Sequence, residues 1–146
     1  MLVFRTGGLS GFMLRSNQIR GNLRNQSSPL DRGIRAIKAW TRQNILSGGT
    51  LAEANWPSLA ARTIAEKRRL GVGQPERPLI RTGYLLSEWT TVVANTWASL
   101  TSKAGHSGFH QWGSGKVPQR RIFPTEEQAV KLLLPIFHHH VKISIS

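Results

Sequence analysis

The chain has 146 residues, enough for one domain whose core needs no metal or disulfide to hold it. Twenty lysines and arginines stand against seven aspartates and glutamates, a formal charge of +13, and there is no cysteine. That composition excludes disulfide frameworks, thiolate metal sites and cysteine nucleophiles, and it favours polyanions or acidic protein surfaces as partners.

The cations are not gathered into a tail. Arg5, Arg15, Arg20, Arg24 and Arg32 lie early, and Arg62, Lys67, Arg68, Arg69, Arg77 and Arg81 in the middle, as a basic outer face would require. No apolar run approaches the roughly 20 residues that span a bilayer, and the N-terminus "MLVFRTGGLSGFMLR" has no continuous hydrophobic stretch of the signal-peptide kind. The expectation is a soluble protein without a membrane partner.

Residues 1–27 are short apolar patches broken by Gly7, Gly8 and Gly11, followed by a polar run; they read as edge strands or an extended arm. From residue 28 to 146 the pattern is that of a single α+β domain. Ser28-Pro29-Leu30-Asp31 places a cap, a first-turn proline and an acid in order, and Leu30, Ile34, Ile37, Thr41 and Ile45 then follow the helical period of about 3.6 residues, with Trp40 alongside. Gly48-Gly49 ends this long amphipathic helix. A shorter, strongly basic helix is expected from Ser58 to Leu70, with Leu59, Ala60, Ile64 and Leu70 as its thin apolar line. After a loop, Thr82-Gly83 begins one helical turn, and "EWTTVVANTWASLTS" predicts a hairpin turning near Ala94-Asn95, with Trp89 and Trp97, like Trp40, facing the core. "GHSGFHQWGSG" reads as a helical turn and loop, and "KVPQRRIF" as an extended segment that places Arg120 and Arg121 on opposite sides. Thr125 with Gln128 opens a last helix, Pro135 is expected to kink or end it, and "VKISIS" alternates like a closing strand. The fold class is therefore α+β: a small antiparallel sheet packed against one long amphipathic helix, with shorter helices and extended arms.

Catalysis has little to work with. His106 and His110 share one helical face, but zinc needs a third ligand and neither a cysteine nor a nearby acid offers itself. His138, His139 and His140 diverge around a helix and suit its cationic C-terminal end. Glu126 and Glu127 are adjacent in a first helical turn, where acids are simply stabilising, and Glu66, Glu76 and Glu88 sit beside cations or in loops. Neither an enzyme nor a cofactor or metal site is expected. Two readings stay open on composition: a nucleic-acid binder that combines phosphate contacts with stacking on tryptophan, and a structural or assembly protein.

The order of motifs adds a resemblance. Trp56-Pro57-Ser58-Leu59 is followed by Thr63 and Lys67-Arg68-Arg69, then Gly71, then Pro78-Leu79-Ile80-Arg81-Thr82-Gly83 with Leu85 and Ser87; farther on come His110-Gln111-Trp112-Gly113 and Pro118-Gln119-Arg120. Across about residues 30–125 this resembles the phage virion morphogenesis family, the tail-completion proteins of tailed phages such as Mu and its relatives. Where family members usually read Pro-Ala-Arg-Pro-Phe, this chain has Pro118-Gln119-Arg120-Arg121-Ile122-Phe123, so that either Ile122 replaces the aromatic residue or Phe123 is displaced by one.

The resemblance implies a non-enzymatic virion component of the head–tail junction, assembled in the host cytoplasm as a ring on the tube axis. Six copies follow from tail symmetry and twelve from a portal-side match. Its partners would be copies of itself, other neck, connector and tail-tube or terminator proteins, and DNA in the channel. Trp56, Arg81, His110, Trp112, Pro118, Arg120, Arg121 and Phe123 are the candidate subunit-interface residues. For Trp112 an interface role and packing onto its own core stand even, whereas Trp56-Pro57 reads better as a lid over the core.

Overall fold

Two helices of 20 residues each frame the protein, whose computed structural model describes residues 17–145. The first, α1 (Ser27–Leu46), follows helical turns over residues 17–24. The edge strands or arm expected over residues 1–27 are thus helical from residue 17, and residues 1–16 lie outside the described part. A 3-10 turn (Thr50–Ala52), α2 (Ala61–Arg69), one turn of α3 (Tyr84–Ser87), the strands β1 (Trp89–Val93) and β2 (Ala98–Ser102), α4 (Ser107–Trp112) and α5 (Glu126–Ile145) complete the order. The class is α+β, as expected, with about half of the residues helical.

The start of α1 differs from its sequence signal. Its cap residue is Gln26, not Ser28, which puts Pro29 in the third helical position, where a backbone N–H has no intrahelical partner to lose. Asn25 Oδ1 instead accepts the N–H of Ser27 at 3.1 Å. The buried face also turns: Pro29, Gly33, Thr41, Asn44 and Ile45 are inside, while Leu30, Ile34 and Ile37 are only half-buried. The helix is covered on one side by α5 and on another by the hairpin, so a single apolar stripe does not describe it. Gly33 sits where α5 comes closest; a Cβ there would stand 2.8 Å from Leu133 Cδ2.

The hairpin pairs Trp89 with Ser102 through Val93 with Ala98, and the Ala94 N–H donates to the Trp97 carbonyl to close the turn. The Asn95 carbonyl at its tip takes the Gln26 N–H at 2.8 Å, tying hairpin to helix start. Trp89 is buried, with its indole N–H on the Leu85 carbonyl. Trp97 is not core-facing as expected: it lies in the turn, beyond the paired residues, and is 53% exposed.

The core gathers Ile45, Trp56, Leu85, Trp89, Ala104 and Ile122 from six separate segments. Phe123 packs against it edge-on to Trp89, with ring centroids 5.5 Å apart, while Ile122 is fully buried. Both positions of the divergent motif are therefore inward.

Helix α2 begins at Ala61, three residues later than expected, because Ala60 is still extended. Helix α5 opens on the expected box: Thr125 N–H donates to Gln128 Oε1 at 3.0 Å, and Gln128 N–H to Thr125 Oγ1 at 3.2 Å. It does not end at Pro135. The proline lies inside the helix, and "VKISI" continues it rather than forming a closing strand. Proline removes one helical hydrogen bond, which packing against α1 offsets; five alternating residues are too short a signal to separate period 2 from a helix. Among the described residues no helix is long and apolar enough to cross a membrane.

Candidate functional site

The stretch from His110 to Phe123 divides its side chains between inside and outside. His110 and Gln111 belong to the last turn of α4 and face inward. The His110 carbonyl accepts the Arg120 N–H at 2.6 Å, and Gln111 Oε1 accepts both the Ile122 N–H (2.7 Å) and the Phe123 N–H (3.0 Å). Gln119 Nε2 returns to the Gln111 carbonyl at 3.1 Å. Gly113, at φ +75°, lets the chain double back, and a side chain there would meet the Gln119 backbone. Residues 118–123 join no strand and are held by these side-chain bonds, yet burial alternates along them, with Arg120 and Ile122 buried and Arg121 and Phe123 half-buried. Arg120 is 6% exposed, whereas Arg121 is half-buried and gives its carbonyl to Asn44 Nδ2.

Trp112 goes the other way. At 78% exposure it packs on nothing that hides it, and Phe109, one turn earlier, is 56% exposed. Pro118 and Arg81 are also exposed. Trp56 is buried, as a lid over the core would be.

Arg81, His110 and Arg120 converge on a cavity of about 550 Å³, bounded by α2, the turn leading into α3, and α4. Its apolar wall is Leu59, Leu79, Ile80, Tyr84 and Leu85; its charged groups among the described residues are Lys67, Arg81, Arg120 and a single acid, Glu66, with His106 and His110 beside them. The turn reaches the cavity through two left-handed residues, Leu79 at φ +63° and Gly83 at φ +77°, the second serving as the cap of α3.

The polar groups around this cavity are unevenly satisfied. Arg81 holds Glu66 at 3.3 Å near the rim. The ammonium of Lys67 donates to the Arg77 carbonyl at 2.6 Å; burial lowers its pKa, Glu76 opposes that shift and Arg81 adds to it. Arg120 Nη2 donates to the Pro57 carbonyl at 3.1 Å, while Nε is buried without an acceptor, and among the described residues no carboxylate pairs with it. The ring of His110 stands edge-on to His106, centroids 5.7 Å apart, and its buried Nδ1 has no partner. Burial, Arg120 and His106, in that order, lower its pKa.

Glu66, Glu76 and Glu88, which the sequence places beside cations or in loops, each pair with a cation: Glu66 with Arg81, Glu76 with Arg68 and Glu88 with Lys103. Lys67 and Phe109 are site residues that the sequence did not single out. Lys67 hid within a Lys-Arg-Arg run, although its spacing of three from Ile64 placed it on the inward side of α2. No protein-family model, curated sequence or solved structure matches this chain.

Proposed function

We propose that this chain is a non-enzymatic structural protein of the tailed-phage head–tail junction, a tail-completion subunit whose copies pack side by side in a ring. The observation that carries the reading is a pair of exposed apolar faces on different elements. Phe109 and Trp112 project from α4, and Val130, Leu134 and Val141 form one line along α5, all 40% exposed or more. Such residues gain most when desolvated against a partner, and a ring needs two unlike surfaces on each copy. The ordered Trp-Pro, Arg-Thr-Gly and His-Gln-Trp-Gly motifs support the phage assignment, and tail symmetry favours six copies over twelve.

Light scattering of the purified protein, with and without tail tubes, tests this. A ring, or a monomer that assembles on tubes and loses that ability when Trp112 is changed to serine, supports it. A monomer indifferent to tubes overturns it.

A second reading, a free nucleic-acid binder, has its own observation: Arg35, Lys38 and Arg42 line a groove on the outer side of α1 together with Gln43 and Leu46. Binding through that groove would weaken steeply with salt as counterions return to the phosphates. Little duplex affinity at moderate salt favours the assembly protein.

A further inference from the structure

A buried cation without a counter-charge is costly, and Arg120 is such a cation. The residue is 6% exposed, and one carbonyl, that of Pro57, takes a hydrogen bond from its guanidinium. Its Nε is buried and has no acceptor among the described residues. Uncompensated buried charge is strongly destabilising, as is breaking a buried ion pair by removing one partner. Among the described residues the only acid at the cavity, Glu66, is engaged by Arg81 at the rim. Lys67, itself buried, adds a second cation whose ammonium also ends on a carbonyl.

The walls narrow the chemistry further. Leu59, Leu79, Ile80, Tyr84 and Leu85 give the cavity a largely apolar side facing its basic one, and its volume of about 550 Å³ is that of a small-ligand site. Among the described residues that line it, the buried nitrogens without a partner are Arg120 Nε and His110 Nδ1, and together they match the two oxygens of a carboxylate better than the several oxygens and double charge of a phosphate. Thr63, Thr82 and His106 supply the remaining polar edge.

We propose that this cavity is a binding site for a carboxylate carried on an apolar body, with the carboxylate on Arg120 and His110 and the apolar part against Leu59, Leu79 and Leu85. The carrier is either a free aliphatic acid or the C-terminal carboxylate of a protein chain ending in an apolar residue. The site is separate from the apolar faces of α4 and α5 and does not depend on the assembly reading.

The test is calorimetric titration of the full chain at fixed ionic strength with sodium hexanoate, acetate and inorganic phosphate. Hexanoate should bind saturably, acetate at least about 10-fold more weakly for want of the apolar contact of four methylenes, and phosphate should not compete. Arg120→Lys keeps the charge but not the planar fork and should weaken hexanoate about 10-fold. Because Arg120 is buried, a second variant guards against misfolding: Glu66→Gln, at an exposed residue, removes the one acid from the cavity and should tighten binding several-fold. A Gly-Gly-Leu peptide with a free terminus, compared with its amide, separates the carriers. Binding by the free peptide and not by its amide, at least as tight as hexanoate, assigns a chain terminus, and binding by hexanoate but not by the free peptide assigns a free acid. The proposal is overturned if hexanoate shows no saturable binding, or if all three anions bind alike and neither variant changes their affinity.

Discussion

Asn44 and Ile122 lie 78 positions apart, and the Asn44 side-chain amide donates to the Ile122 carbonyl at 3.3 Å in the fully buried centre of the protein. The same nitrogen reaches the Arg121 carbonyl at 2.9 Å, and Asn44 Oδ1 accepts the Ala52 N–H at 3.0 Å. One amide thus ties the end of α1, the 3-10 turn and the segment that carries Arg120.

Replacing Asn44 by alanine leaves these backbone groups without partners and opens a void, a cost of about 2–4 kcal/mol. Urea denaturation measures it. A loss under about 1 kcal/mol would mean that water replaces the amide and that the clamp is not structural.

Asn44 also marks where sequence reading stops. The α+β class, the hairpin turning near Ala94-Asn95 and the Thr125–Gln128 box were legible because each rests on neighbours a few residues apart. The inward turn of Asn44, Gln111 and Arg120 was not, because a polar side chain is buried only when a distant backbone supplies its partners. Arg81, His110 and Arg120 were picked out as interface residues on motif order; that they share a cavity with Lys67 follows from packing across 53 positions, from Lys67 to Arg120, which no local pattern encodes.

At Gly49 the demand is steric. Its φ of +95° is left-handed, and a Cβ would be driven into the indole of Trp56. Gly49→Ala combines backbone strain with displacement of a rigid core ring, for an expected loss of about 2–3 kcal/mol by chemical denaturation. Gly71, also left-handed at φ +70° but with open space around it, bears the strain alone, so Gly71→Ala should cost about 1 kcal/mol. Equal losses at the two sites would remove the indole from the explanation.

His110 gives stability a pH dependence of defined sign. Its folded-state pKa lies below the ordinary 6.5, so the unfolded chain binds more protons as pH falls through that window. The contribution is complete above about pH 6.5 and declines below it. Glu76, held low first by its hydrogen bond from Arg68, adds a loss only at more acid pH, below its ordinary 4.5. Urea midpoints between about pH 7.5 and 5 should fall in the wild type and stay flatter in His110→Gln. An identical decline in both would place the proton elsewhere.

Trp112 and Trp56 should separate assembly from folding. Trp56 is 9% exposed and Trp112 is 78% exposed, although both sit in the motifs that first pointed to an interface. Trp56→Ala empties a core position and should cost about 3–5 kcal/mol. Trp112→Ala should leave the melting of the isolated chain within about 0.5 kcal/mol of wild type while abolishing ring formation or attachment to tubes. The comparison needs both readouts on both variants, because a destabilised subunit also fails to assemble. Loss of assembly at unchanged stability places Trp112 in the contact between subunits. Full assembly by Trp112→Ala would shift the contact to the line of Val130, Leu134 and Val141 on α5, where Leu134→Lys becomes the decisive change: it adds charge to a residue that is 65% exposed, so it leaves the fold intact and disrupts only a surface that a partner must cover.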